Sequence, residues 1–376
     1  MSTHDFRFRV GMSLVLGLIW TTTALADDPL FAPAVHYAAG GSPRSVAIAD
    51  LDGDDVPDLA LGNLYSSDVS VLLGVGDGTF AAAVHYAAGD GSHSVAIGDL
   101  DGDQVPDLAV ANIGSDNVSV LLGVGDGTFA PAVNYAVGVG PGSVVIGDLN
   151  GDQVPDLAVT NGVSHTVSVL LGIGDGTFAP AVNYAAGDEP TRVAIGDLDG
   201  DQVPDLAVTN HRIHTVSVLL GLGDGTFADL VHYAAGDGPF SVAIGDLDGD
   251  QVPDLAVANL DSDDVSVLVG VGDGTFAPAL HYAAGDAAYS VAIGDLDGDA
   301  WLDLAVANGG TDNVSVLLNQ SVIPGDLNGD GCVDQRDLGI LLGWFGLGDG
   351  GDCDDDGDTD QSDLGILLAH WGAGCG

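Results

Sequence analysis

The sequence predicts an all-β fold, a six-bladed β-propeller, followed by a small α-helical module with EF-hand-like calcium loops. Three observations lead there. A cluster of the form D-x-[DN]-G-D-x-x-x-D begins at Asp50, Asp99, Asp148, Asp197, Asp246 and Asp295, each 49 residues after the last. Every 49-residue unit holds four short β-branched or alternating runs with turn residues between them and no helical period. After the last unit come two acidic loops of another type, each running into a helix-like stretch. A fixed period of this length marks a repeat array, and four strands per unit make a propeller blade.

One unit shows the order. Phe80-Ala-Ala-Ala-Val-His-Tyr-Ala-Ala-Gly89 precedes a variable stretch, and Ser94-Val-Ala-Ile-Gly98 leads into the acidic loop. Leu108-Ala-Val-Ala-Asn112 follows it, and after a second variable stretch Val118-Ser-Val-Leu-Leu122 ends in the turn Gly125-Asp-Gly-Thr128. Asp-Gly suits a tight hairpin. The array opens with a fourth-strand sequence, Phe31-Ala-Pro-Ala-Val-His-Tyr37, and closes with a third-strand sequence, Val314-Ser-Val-Leu-Leu318. Chain start and array end are therefore expected to share one blade, which would remove the exposed edges.

The acidic loops have the donor spacing of a calcium site. In the second loop Asp99, Asp101 and Asp103 supply carboxylates at positions 1, 3 and 5, Val105 a carbonyl at 7 and Asp107 a carboxylate at 9. The same frame holds Asp50, Asp52, Asp54, Val56 and Asp58 in the first loop and Asp148, Asn150, Asp152, Val154 and Asp156 in the third. It continues with Asp197, Asp199, Asp201, Val203 and Asp205, then Asp246, Asp248, Asp250, Val252 and Asp254, and finally Asp295, Asp297, Asp299, Trp301 and Asp303. Hard oxygen ligands at this spacing suit Ca2+, and carboxylates so close repel without a cation. Position 12 of the second loop is Val110, not the bidentate Glu of an EF-hand, so the expected affinity is modest, roughly 10⁻⁴–10⁻³ M. Six near-identical sites read as structural staples for hairpins.

These repeats resemble the FG-GAP/VCBS family, whose known members include the propeller of integrin α subunits. The resemblance rests on Asp99-Leu-Asp-Gly-Asp-Gln-Val-Pro-Asp107 and Gly123-Val-Gly-Asp-Gly-Thr-Phe129 with their copies. It implies a calcium-binding propeller, integrin α-like in its blades. The integrin members have seven blades, which makes a seven-bladed ring the alternative to the six that the copies count out.

Composition narrows the partners. The chain of 376 residues carries 56 acids and 6 bases, a net charge of −50, and all six bases are Arg. Such a charge excludes nucleic acid. More than half of the acids fall inside the loop motifs, which points to calcium more than to a salt-adapted surface. Residues 1–26 read as a signal peptide, with Arg7 and Arg9, an apolar run from Val10 to Trp20, and Ala24-Leu-Ala26 at the cleavage site. No later segment reaches the ~18 apolar residues of a membrane span. A secreted, extracellular protein is the expectation, with the propeller at 27–320.

In a four-stranded meander successive connections alternate between two ends. The acidic loops and Gly-Asp-Gly-Thr turns share one end; the second-to-third and blade-to-blade connections, where the repeats differ, share the other. Arg44, His165, Arg192, His211, Arg212 and His214 map to that variable end, as do Tyr65, Phe240 and Tyr289. They are the candidate ligand face, for a polysaccharide or other anionic surface ligand. The recurrent His of Val-His-Tyr (His36, His85, His232, His281) gives way to Asn134 and Asn183, so that position is structural.

The C-terminal module occupies 325–376. Its first loop places Asp326, Asn328, Asp330, Cys332 (carbonyl), Asp334 and Asp337 at positions 1, 3, 5, 7, 9 and 12; its second places Asp352, Asp354, Asp356, Asp358 (carbonyl), Asp360 and Asp363 in the same frame. Both run into Asp-Leu-Gly-Ile-Leu-Leu. Two loop–helix units with Asp at position 12 resemble a type I dockerin, which implies a cohesin-type partner and scaffold attachment. Positions 10 and 11, Gln335-Arg336 and Gln361-Ser362, depart from that family's common Ser/Thr pair. At least one of Trp344 and Trp371 is expected in the module's small core. Of Cys332, Cys353 and Cys375, two can form a disulfide in an oxidising compartment, the pair being undetermined.

The leading functional expectation is a secreted calcium-binding protein that binds or displays through its propeller and is anchored by the dockerin-like module. The alternative is a scaffold-attached carbohydrate-active enzyme, a glycoside hydrolase or polysaccharide lyase. No catalytic constellation is found: Glu189 is the one Glu, and Asp68, Asp116 and Asp261 are merely acids outside the motif.

Overall fold

The computed structural model describes residues 35–299, 301–319, 327, 333–346, 353, 359–369 and 371. The described residues from Ala38 onward belong to one compact unit. The proposed signal peptide, the metal positions Asp326, Asn328, Asp330, Cys332, Asp352, Asp354, Asp356 and Asp358, and the cysteine Cys375 lie outside the described residues.

Among the described residues the strands form six antiparallel sheets, five of four strands and one of three, each in sequence order. Blade 2 is typical: Ser92–Gly98, Asp107–Asn112, Asn117–Leu121 and Val133–Ala136 pair in succession. The second strand is buried along its whole length, because a neighbouring blade covers each face of the sheet. That is why Leu-Ala-Val-Ala is apolar at consecutive positions, where a one-sided sheet would alternate.

The first strands, Pro43–Ala49, Ser92–Gly98, Pro141–Gly147, Pro190–Gly196, Pro239–Gly245 and Ala288–Gly294, pack each against the next and line the axis. Each interface is an apolar cluster drawn from two successive blades. Between blades 2 and 3, Leu100, Val118 and Val120 meet Val144, Leu157, Leu170 and Phe178. A fourth-strand Tyr also stands edge-on to the Phe of the following blade: Tyr135 and Phe178 are 5.4 Å apart at 79°, and Tyr86–Phe129, Tyr184–Phe227 and Tyr233–Phe276 repeat the geometry. Such pairs contribute about 0.5–1.5 kcal/mol beyond their buried area.

The two end blades differ. In blade 1 Val46 is 57% exposed where its counterpart Val144 is 3%; in blade 6 Val314 is 63% exposed where Val118 is fully buried. Blade 6 has three strands, and an open apolar groove of about 490 Å³ runs beside it, lined by Leu247, Val267, Leu280, Tyr282, Leu304 and Leu317. The equivalent residues between blades 2 and 3 enclose Phe178. The 31–37 segment, expected to supply the missing strand, begins outside the described residues; Val35, His36 and Tyr37 carry no strand.

The C-terminal module contributes two helices, α1 (Gln335–Trp344) and α2 (Gln361–Ala369). Asp334 caps α1 and forms a reciprocal capping box with Asp337. Val333, Leu341 and Leu367 make the core, and Trp301, from the sixth acidic loop, packs on it. Trp344 and Trp371 remain 46% and 44% exposed. Neither module Trp enters the core as expected; the Trp packed there among the described residues is Trp301 of the propeller.

In blades 1 to 5 the glycine just past the third strand (Gly74, Gly123, Gly172, Gly221, Gly270) has no room for a side chain, whereas blade 6 carries Asn319 there. A methyl on Gly172 would collide with the Pro155 carbonyl oxygen, whereas one on Gly294, at the end of the first strand of blade 6, would meet nothing within 4 Å. Gly172→Ala should therefore lower the unfolding free energy by about 1–3 kcal/mol, and Gly294→Ala should leave it near the wild-type value, as read by denaturant titration.

Candidate functional site

Each acidic loop is built by its own carboxylates. In the second loop Asp99 accepts from the Gly102 and Gln104 N–H groups (2.7 and 2.9 Å), Asp101 from Asp103 N–H (3.2 Å) and Asp103 from Val105 N–H (2.8 Å). The turn needs two left-handed residues, Gly102 at φ 79° and Gln104 at φ 70°. Glycine meets the first demand without strain.

Position 9 does something else. Asp107 is buried, and its two oxygens accept from Leu100 N–H and Gly123 N–H, both at 2.7 Å. One carboxylate thus ties the acidic loop to the turn between the third and fourth strands. Asp58, Asp156, Asp205, Asp254 and Asp303 repeat both bonds.

Ligand oxygens converge as the spacing requires. Asp50, Asp52 and Asp58 bring oxygens within 4.8 Å of one another, as do Asp99, Asp101 and Asp107, and Asp197, Asp199 and Asp205. In the last two loops the trio is Asp246, Asp248 and Asp250, and Asp295, Asp297 and Asp299. The third loop has Asn150 at position 3, an amide oxygen in place of the carboxylate. These all-oxygen clusters could hold a metal ion. Their electrostatics agree: the Asp101 and Asp199 carboxyls are raised by desolvation and by their carboxylate neighbours. Asp107, Asp156 and Asp205 are pushed up to about 6, first by burial and then, against their two backbone donors, by nearby Asp side chains.

In the C-terminal module, the position-12 residues Asp337 and Asp363 are buried. Asp337 accepts from Leu327 and Asp334 N–H (2.9 and 2.8 Å), and Asp363 from Cys353 and Asp360 N–H. They join the two ends of each loop as the position-9 Asp does in the propeller.

At the opposite end of the blades the candidate ligand residues fall into two groups. His165 and His214 occupy left-handed turn positions (φ 59° and 56°), and their Nδ1 atoms accept from Glu189 and Gly238 N–H, both at 3.0 Å. Ser67, Asp116 and Asp263 stand in the same frame and accept from Gly91, Gly140 and Ala287 N–H (3.1, 2.9 and 2.7 Å). A position that serves equally as Ser, Asp or His is an acceptor holding the next connection. Around the rim, Arg212 pairs with Glu189 at 4.0 Å and His211 with Asp261 at 3.7 Å. Two of the candidate ligand residues, Arg212 and His211, thus already have acidic partners.

Arg44 and Arg192 belong to the second group, at the start of the first strands. Each first strand carries an irregularity there, which leaves Arg44, His93, Gly142, Phe240 and Tyr289 out of the ladder in their blades and Thr191 and Arg192 in blade 4. His93 Nδ1 lies 2.8 Å from the Gly142 carbonyl oxygen, to which Arg192 Nη1 also donates at 3.2 Å. The Arg192 guanidinium lies over the Phe240 ring, 5.4 Å from its centroid, and Phe240 lies against Tyr289 at 4.2 Å. The sequence reading missed His93; reading down the 49-residue frame from Arg44 would have found it. His85, His232 and His281 lie within about hydrogen-bond distance of a third-strand Ser, and Asn134 and Asn183 accept from one (2.6–3.2 Å), which explains their interchange.

Fold and loops together define a class, a β-propeller whose blades are closed by aspartate-rich loops. The chain belongs to the FG-GAP-like repeat family, whose pattern matches residues 57–110, 100–159, 148–208, 197–257 and 246–306. No curated protein matches the chain. Among solved structures it is similar to a lectin of Agrocybe aegerita that recognises non-reducing terminal N-acetylglucosamine, at 21% identity over 73% of this chain and 80% of the lectin, TM-score 0.50. A putative 6-phosphogluconolactonase of Bacteroides fragilis is similar at 16% identity over 74% and 80%, TM-score 0.57. Virginiamycin B lyase of Staphylococcus aureus is similar at 12% over 74% and 85%, TM-score 0.50. At these identities the likeness is one of fold.

The raised carboxyls give a signed pH dependence. Without metal, the folded pKa of Asp107, Asp156 and Asp205 (about 6) lies above the unfolded value of about 4, so the folded state binds more protons between them and stability falls as pH rises through that window. A bound divalent cation holds the same groups ionised. The melting temperature in EDTA should fall from pH 4.5 to pH 7, and the gap between metal-loaded and EDTA samples should widen over the same range in scanning calorimetry.

Proposed function

We propose that this protein is a secreted, calcium-loaded propeller that binds or displays through the end opposite its acidic loops. The observation that carries it is the convergence of three carboxylates within 4.8 Å in five of the six loops, a donor set of hard oxygens suited to Ca2+. The propeller would take its ions through Asp50, Asp99, Asp148, Asp197, Asp246, Asp295 and their loop partners, with the carbonyls of Val56, Val105, Val154, Val203, Val252 and Trp301. Calcium would supply charge neutralisation and rigidity, and the chain's own carboxylates would set the loop geometry.

The divergence of the opposite end supports recognition there, and a lectin among the similar folds agrees with carbohydrate as the ligand class. The C-terminal loop–helix pair is proposed to be a dockerin-like anchor to a cohesin-type partner; the exposed Trp344 and Trp371 leave it an apolar surface for one. The signal-like segment 1–26 supports export to a calcium-rich medium.

Calcium titration of the EDTA-treated chain tests the core of this reading. Millimolar calcium should raise the melting temperature by several degrees, since a ligand bound only by the native state stabilises it. Asp156→Asn, which replaces a carboxylate oxygen by a donor facing a backbone N–H, should cost about 1–3 kcal/mol and reduce the calcium gain. An unchanged melting curve in EDTA and calcium would sink the calcium assignment.

A further inference from the structure

We propose that the out-of-ladder residues at the heads of the first strands form a binding site for a carboxylate-bearing sugar, a uronate, where the blades converge on the axis. This rests on the recognition role proposed above and places it.

The first argument is the frame. Positions 44, 93, 142, 191, 240 and 289 lie 49 residues apart and hold Arg, His, Gly, Thr, Phe and Tyr, six different residues in repeats that are otherwise nearly copies. In every blade the position is the irregularity of the first strand. Such bulges re-aim a side chain out of the sheet. Blades 1, 2, 5 and 6 each free one side chain from the ladder, blade 4 frees Thr191 and Arg192, and blade 3 offers the bare backbone of Gly142, at the part of the fold nearest the axis, where neighbours can act on a single ligand.

The second argument is what these residues do to each other. Gly142 offers a carbonyl without a side chain, and both His93 and Arg192 reach it. Arg192, Phe240 and Tyr289 stack in that order. Burial first, and then the charges of Arg192 and Arg44, hold His93 below the usual histidine range against its bond to the Gly142 carbonyl. Among the described residues no carboxylate lies in ion-pair distance of Arg44 or Arg192, although the chain has 56 acids. Packing at an axis can demand unlike side chains; the Arg192 guanidinium, which donates to the Gly142 and Thr191 carbonyls and lies over the Phe240 ring, and the exposed Arg44 are nonetheless left without a carboxylate counter-charge among the described residues.

The chemistry then selects the ligand. A guanidinium fork pairs bidentately with a planar carboxylate. Aromatic rings take the apolar face of a pyranose, and His93, whose Nδ1 is held by the Gly142 carbonyl, can exchange a hydrogen bond with a ring hydroxyl through Nε2. A neutral sugar would leave the arginines unused, and a bare phosphate would leave the rings unused.

The test uses the full chain in calcium, titrated calorimetrically with trigalacturonate, with a neutral galactose trisaccharide and with inorganic phosphate. Trigalacturonate alone should bind. Arg192→Gln and, separately, Arg44→Gln should each weaken it about tenfold or more, the loss of a charge-assisted pair, and Phe240→Ala should weaken it as well. Arg212→Gln, on the rim, should leave it unchanged, and added salt should weaken the wild type. Equal binding of the neutral trisaccharide or of phosphate, absence of trigalacturonate binding, or binding that survives both arginine changes in variants with wild-type circular dichroism would each overturn the proposal. Calcium-dependent melting intact beside a failed titration would overturn this inference alone; loss of both would overturn the calcium-propeller reading too.

Discussion

The fold hangs on a buried carboxylate. In all six blades the last Asp of the acidic loop accepts one backbone N–H from within its loop and one from the end of the third strand, at 2.6–2.8 Å. Those two bonds satisfy donors that no strand could reach and fix where the third strand ends. The same bonds deliver a charge into a half-dry place beside two or three other carboxylates. Isolated, that charge is costly, and burial raises the carboxyls of Asp107, Asp156, Asp205 and Asp254; a cation turns the same arrangement into a closed electrostatic unit.

Lateral order comes from a different set of contacts. Second-strand Asn side chains donate to a third-strand Ser hydroxyl at 2.7–2.9 Å, and that hydroxyl meets the fourth-strand His or Asn. This polar thread specifies register within a blade. Tyr–Phe edge contacts and interlocking Val and Leu specify register between blades. Beside blade 6, where no described residue takes the place of Phe178, the same apolar residues line an open groove instead.

Function separates from this machinery by position. The acidic-loop end repeats itself almost without change, and its parts hold backbone and, as proposed, calcium. The other end spends its variable residues in two ways: turn acceptors such as His165, Asp116 and Ser67 do one structural job with three chemistries, while the heads of the first strands bring together cations and rings from several blades.

The sequence by itself determined the period, the four strands per unit, the sheet count and the acidic loops, because these depend on local spacing that recurs identically and needs no long-range partner to be read. It also showed, through the exchange of His for Asn, that the fourth-strand His is structural. What only tertiary structure decided is which variable residues meet. His165 and His214 looked like ligands until their Nδ1 atoms were seen to hold the next connection. His93 looked like nothing until blades 2, 3 and 4 set it beside Gly142 and Arg192. Trp301 read as one more carbonyl donor, yet its side chain completes the core of the C-terminal helices. Each of these depends on contacts between residues tens of positions apart, and the geometry that closes such distances is set by the packing of blade on blade and not by any residue's neighbours in the chain.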